Sequence, residues 1–112
     1  MSFQLLDYEV YSAGKLELKD KVVCHLRSST ATCETINCLN PHSYVVAKTD
    51  RLFRAALLQS DILLPDGVGI TLGARIYGER IERVTGFDVF EMLISVCDEL
   101  GLNVLFLGSD EA

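Results

Sequence analysis

Residues 62–64 read Ile-Leu-Leu, closed by Asp61 on one side and by Pro65-Asp66-Gly67 on the other. A strand that is apolar at every position has no face to offer water, so both of its faces must be covered. Helices on the two sides of a parallel sheet provide that cover, and the rest of the chain alternates in the way such a sheet requires. The stretch to about Gly14 alternates loosely, as one short strand or a hairpin would. "ELKDKVVCHLRSS" carries Leu18, Val22, Val23 and Leu26 at helical spacing, and "CETINCLNP" reads as a short strand ended by Asn40-Pro41. "HSYVVAKTDRLFRAALLQS" is helical with a break near Asp50, an N-cap for a face of Leu52, Phe53, Ala56 and Leu57.

After the Ile62 run, "VGITLGARIYG" is expected to be a helix, with Val68, Leu72 and Ile76 on one side and Gly78 past its end. The next helix is predicted to start at Asp88, with Glu91 completing a capping-box-like D-x-x-E and Phe87 and Met92 at staple positions. Val89, Leu93, Val96, Cys97 and Leu100 form its apolar stripe, and Gly101 ends it. "NVLFLGS" follows as a third strand, and "GSDEA" resembles the first turn of another helix. The expectation is an α/β fold, a Rossmann-like and mostly parallel sheet with flanking helices and right-handed crossovers, cut short after the third main strand. On this reading residues 1–112 are the N-terminal part of a single larger domain. A complete small domain closed by self-association is the alternative, and an exposed sheet face would encourage such pairing.

Composition removes several functions. A net charge of −6 argues against nucleic acid, which requires basic patches, and argues only weakly against an anionic membrane. No apolar run approaches the roughly 20 residues of a membrane span, and the N-terminus has no basic start followed by an apolar core of the export type. Cys24, Cys33, Cys38 and Cys97 lack zinc-site spacing, and His25 and His42 lack a metal-binding companion, so no metal is expected. Reduced thiols in a cytosolic protein follow.

The "PDGVG" stretch admits two readings. Pro-Asp-Gly is a turn sequence, and "VGITL" alternates enough to return as a strand. Alternatively, Asp66 stands beyond the carboxyl end of a parallel strand, where open α/β sheets bind ligands, with Gly67 and Gly69 allowing close approach. A helix N-terminus there favours an anion, and a partly desolvated carboxylate can act as general base toward a hydroxyl. A dinucleotide site competes, but "GVGITLG" misses G-x-G-x-x-G because Leu72 takes the third glycine's place. Asp88 lies near the ribose-binding distance, yet it precedes a helix rather than ending a strand.

The segment "TINCLNPHSYVVAKTDRLFRAALLQSDILLPDGVGITLGARIYGERIERVTGFDVFEMLI", with "FLGS" after it, resembles the bacterial WecG/TagA/CpsF glycosyltransferase family over about residues 34–110. The resemblance implies an inverting, metal-independent enzyme without a cofactor. Such an enzyme moves N-acetylmannosamine or a relative from UDP to a lipid-diphosphate-linked N-acetylglucosamine. It implies work at the cytoplasmic face of the membrane in making teichoic acid, common antigen or capsule, with a C-terminal part outside this chain contributing to membrane association. Asp66 maps to the proposed base. Asn40 and Gly67 map to substrate contacts, and Cys38 stands where many members carry threonine. Thr85 and Gly86 fit a substrate-lining loop, and Arg83 meets a phosphate or else Glu79. Asp88 is first a helix cap and second a contact, while Gly108 and Ser109 are nucleotide-diphosphate candidates by position. The competing expectations are a dinucleotide-binding fragment and an inactive truncated interaction module.

Overall fold

A computed structural model describes residues 2–28 and 32–108. The chain opens with an antiparallel hairpin, β1 (Ser2–Leu5) and β2 (Tyr8–Tyr11), in which Leu5 faces Tyr8 and Ser2 faces Tyr11. Helix α1 (Gly14–Arg27) leads to β3 (Ile36–Leu39), then α2 (Pro41–Thr49) and α3 (Arg51–Leu58). Strand β4 (Ile62–Pro65) follows, then α4 (Val68–Ile76) and α5 (Gly86–Leu100). Between β3 and β4 the pairing is parallel, Ile36 against Ile62 through Leu39 against Pro65. The protein is therefore α/β, built on one parallel pair and one antiparallel pair.

The continuous apolar run is buried along its whole length, as its composition requires. Leu63 packs on one face with Leu5, Tyr8, Val10, Leu39, Ala47, Leu57 and Ile70. Ile62 and Leu64 pack on the other with Tyr11, Leu18, Val22, Val84 and Val89. The period of two along a strand sends alternate side chains into these two clusters. Helices α2, α3 and α4 supply one cluster and α1 and α5 the other, while β2 lies alongside β4. At about 1.5–3 kcal/mol per fully buried large aliphatic side chain, β4 anchors both halves of the core.

The ends of the parallel pair are locked differently. At its start, the Asp61 carboxylate accepts from the Thr35 backbone N–H at 2.8 Å and from the Thr35 hydroxyl at 3.2 Å. At its finish, the Asp66 N–H donates to the Leu39 carbonyl at 3.0 Å. The break near Asp50 is real. Its N–H closes α2 on the Val46 carbonyl at 3.0 Å, and its carboxylate caps α3 by accepting from the Phe53 N–H at 3.0 Å.

Three expectations require correction. Residues 103–107 form no strand; Leu105 is 90% and Leu107 96% exposed, and the segment's ring contact is Phe106 on Phe90 at 5.7 Å. An apolar run becomes a strand only when a neighbour pairs with its backbone, and none does among the described residues. The mostly parallel sheet reduces accordingly to the β3–β4 pair. Helix α5 begins earlier than expected, with Thr85 rather than Asp88 as N-cap. The Thr85 hydroxyl accepts from the Asp88 N–H, and the Asp88 carboxylate accepts from the Thr85 N–H, each at 3.0 Å. That frame puts buried Val84 and Val89 at the staple positions, while Phe87 is left 67% exposed.

Gly69 and Gly73 on α4 make opposite predictions. A Cβ on Gly69 would lie 2.5 Å from Pro41 Cγ, whereas one on Gly73 would meet Leu5 Cδ1 at an ordinary 3.8 Å. Gly69→Ala is expected to destabilise by about 1–3 kcal/mol through forced separation of α4 from α2. Gly73→Ala is expected to stabilise by about 0.4–1 kcal/mol through the unfolded chain. Thermal unfolding of the two variants checks the sign of each.

Candidate active site

The site grows from the carboxyl ends of β3 and β4. Because Leu39 pairs with Pro65, the residues that follow them, Asn40 and Asp66, emerge side by side. Asn40 then starts α2. Its Oδ1 accepts from the Ser43 N–H at 2.8 Å, and its own N–H donates to Ser43 Oγ at 2.9 Å. This capping box, with Pro41 at the first helical position, fixes which way the amide points. The oxygen is committed to the helix, and the Asn40 amide nitrogen is left with both donors free among the described residues.

Asp66 is partly buried, and its carboxylate accepts no hydrogen bond and forms no ion pair among the described residues. Gly67 makes the turn from β4 into α4 at φ 100° and ψ 151°, a conformation open essentially to glycine alone. A Cβ there would also stand 3.6 Å from Pro41 Cδ and 3.8 Å from Asn40 Cβ. Those are ordinary contact distances, so the backbone angle rather than lack of room calls for glycine here. No side chain caps α4, so its first N–H groups, which follow Asp66 in the chain, have no capping partner among the described residues.

The loop before α5 closes the other side. The Val84 N–H donates to the Pro65 carbonyl at 3.0 Å, which brings Arg83 and Thr85 next to the end of β4. Glu82 faces away, accepting from the Lys15 N–H at 3.0 Å at the start of α1. A Cβ on Gly86 would lie 3.7 Å from Cys38 Sγ, so the first turn of α5 lies over that thiol. Burial pushes the Cys38 thiol above its ordinary range, and the negative charge of Asp66 nearby adds to the effect. Cys38 is thus a protonated, half-buried group beside the carboxylate, a weak donor where a hydroxyl would be a stronger one.

Cys38, Asn40, Asp66, Gly67, Thr85 and Gly86 are brought together, with Arg83 at the edge. Arg83 forms no ion pair with Glu79; it lines an open cleft with Arg75 and Arg80 against α4. Those two arginines escaped the motif reading, although their spacing from Arg83 in an acidic chain is a legible signal. Asp88 stands elsewhere. Its carboxylate holds the Thr85 N–H and lies 3.5 Å from Lys15 Nζ, and the Thr85 backbone bond foremost holds it below the usual carboxylate range. An acid so engaged at a helix start is not placed to meet a ribose, which weakens the dinucleotide reading. Gly108 is exposed and has nothing within 4 Å of its Cβ position, and Ser109 lies outside the described residues.

A model of the glycosyl transferase WecG/TagA/CpsF family matches residues 3–112. The chain belongs to that family. Two curated relatives bear the name N-acetylglucosaminyldiphosphoundecaprenol N-acetyl-beta-D-mannosaminyltransferase. The protein from Bacillus subtilis is 31% identical over 75 residues, covering 66% of this chain and 29% of the relative. That from Bacillus spizizenii is 30% identical over 71 residues, covering 62% of this chain and 28% of the relative. The matches thus span less than a third of each relative's length. No solved structure matches.

Two outcomes follow from the electrostatics. Iodoacetamide is expected to label exposed Cys24 and Cys33 well before Cys38 at mildly alkaline pH, since burial and Asp66 both suppress the Cys38 thiolate. Peptide mapping over time checks the order, and equal labelling would contradict the geometry. For Asp88 the folded pKa is depressed, so its capping contribution is complete above the unfolded value of about 4 and disappears as pH falls through the lower folded value. Asp88→Asn is expected to flatten the acid limb of a melting-temperature profile below about pH 4.

Proposed function

We propose that the chain carries the acceptor-activating part of an inverting glycosyltransferase, with Asp66 as general base. The carrying observation is the free, partly buried Asp66 carboxylate at the carboxyl end of the parallel pair, beside the open donors of Asn40. Family membership supplies the reaction class, and the names of the relatives suggest the substrates. These are a UDP-activated N-acetylmannosamine donor and a polyprenyl-diphosphate-linked N-acetylglucosamine acceptor. In this reading the hydroxyl oxygen of the acceptor attacks the anomeric carbon from the face opposite the diphosphate. Asp66 takes the hydroxyl proton as that carbon–oxygen bond forms, and the bond to the UDP oxygen breaks with its electron pair leaving on the diphosphate.

Asn40 donates from its amide nitrogen to a sugar oxygen, and Gly67 and Gly86 leave space for the ring. Arg83 offers its free guanidinium to a substrate phosphate, and the uncapped start of α4 offers backbone N–H groups to developing negative charge. Thr85 shapes the loop chiefly through its cap on α5. The β3–β4 pair is read as the centre of a Rossmann-like sheet, and the chain as the N-terminal part of one glycosyltransferase domain. With a UDP-linked donor and a lipid-linked acceptor, the work is read as lying at the inner face of the cell membrane. No helix among the described residues is long and apolar enough to cross it.

In a transfer assay with UDP-N-acetylmannosamine and the lipid-linked acceptor, Asp66→Asn is expected to lower kcat about 100- to 10,000-fold with little change in KM. Turnover at the wild-type rate in that variant would refute the assignment.

A further inference from the structure

Helix α1 begins without a cap of its own. Ala13 precedes it and offers no side-chain acceptor to its first free N–H groups. Glu82, which lies 67 positions beyond Lys15 in the chain, supplies one. Its Oε2 accepts from the Lys15 N–H at 3.0 Å, a bond that an N-cap side chain would ordinarily make, and its negative charge suits a helix N-terminus. Gly14 makes room for this carboxylate. Its φ is 85°, and a Cβ there would stand 2.6 Å from the same oxygen. The Tyr11 hydroxyl donates to the Gly14 carbonyl at 3.1 Å and fixes the turn from the hairpin side. The start of α1 is thus shaped around an acid that comes from the loop before α5.

That loop, residues 79–85, has few other holds. Its backbone is tied near its two ends, the Glu79 N–H donating to the Ala74 carbonyl at 2.9 Å and the Val84 N–H to the Pro65 carbonyl at 3.0 Å. Between those bonds Ile81 packs against the core, and the Glu82 carboxylate makes the one polar tie to another element among the described residues. Arg83 comes next in the chain, yet it lines the cleft against α4. The two neighbours therefore reach different elements, and anchoring the first limits where the second can go. A carboxylate held on α1 is also not free to pair with the guanidinium beside it, which leaves the Arg83 charge for a substrate. The Lys15 ammonium adds little, being half exposed at 4.0 Å from Glu82 and 3.5 Å from Asp88.

We propose that Glu82 is a positioning residue for the transfer reaction: by capping α1 it holds Arg83 toward the cleft and keeps that guanidinium unpaired for a substrate phosphate. The inference rests on the phosphate-binding role given to Arg83 in the proposed function. Glu82 touches no substrate and acts through Arg83. Its bond is to the Lys15 backbone, so the side chain at position 15 matters little, whereas an acceptor of the right length at position 82 is required.

The test is a set of variants in the transfer assay, with kcat and the KM of donor and of acceptor measured separately. Arg83→Gln sets the reference by raising KM for whichever substrate brings its phosphate to the guanidinium. Glu82→Ala is expected to raise the same KM about 10-fold and to change kcat by less than about threefold. Glu82→Asp, one methylene too short for the Lys15 N–H, is expected to do the same, and stands in should the alanine variant unfold. Glu82→Gln keeps an oxygen for that N–H and is expected to recover most of the loss. Lys15→Ala leaves the backbone bond in place and is expected to match the wild type. Combining Glu82→Ala or Glu82→Asp with Arg83→Gln is expected to give the KM of Arg83→Gln alone, because nothing is left to position. A merely stabilising residue would instead lower the melting temperature with KM unmoved, or its loss would add to that of Arg83. The inference alone is overturned by wild-type KM in Glu82→Asp, by additive losses in the double variant, or by Glu82→Gln no better than Glu82→Asp. Lys15→Ala as damaging as Glu82→Asp overturns it too. Wild-type kinetics in Arg83→Gln would overturn the phosphate role and the inference with it, whereas an active Asp66→Asn would refute the base and leave this comparison intact.

Discussion

The parallel pairing of β3 with β4, a strand buried along its whole length, is the constraint on which the rest of the protein depends. Leu63 belongs to one hydrophobic cluster and Ile62 and Leu64 to the other, so moving β4 by one residue would exchange the contents of the two. Asp61 on Thr35 and Asp66 on Leu39 fix the register at either end. Register in turn puts Asn40 and Asp66 in adjacent positions. The candidate chemistry is thus a consequence of how the core is packed, and cannot shift without disturbing it.

Three helices start around this strand end, and each treats its free N–H groups differently. Asn40 and Ser43 close α2, Thr85 and Asp88 close α5, and Gly67 leaves α4 open. The capped helices commit polar side chains to structure: the Asp88 carboxylate holds the Thr85 N–H, and Asn40 has only its amide nitrogen to spare. The open helix is left as the place for added negative charge.

Much of this was readable from local pattern. The strand at Ile62, the interruption at Asp50 and the stop at Gly101 each follow from residue types whose preferences are strong and act over a few positions. The start of α5 was misplaced because two overlapping boxes, Thr85-x-x-Asp88 and Asp88-x-x-Glu91, satisfy the same rule. Burial of Val84 and Val89 chose between them. The expected strand at 103–107 failed for another reason: its apolar composition says that it will be covered, but not by what.

By itself, then, the sequence determined where the carboxylate stands in the chain, that the strand before it must be covered on both faces, and that glycine must turn the backbone after it. These are properties of single residues and short periods. Tertiary structure alone decided which groups meet that carboxylate. Cys38 and Asn40 arrive from β3 and the start of α2, and Gly86 from α5, through contacts between segments distant in the chain. It also decided that Arg75, Arg80 and Arg83 share a surface, since helix periodicity and the loop tied to Pro65 have to act together. The physical reason is that local preference acts through a residue's own backbone, whereas a site is made of proximity, and proximity here is set by the packing of both core clusters on one strand.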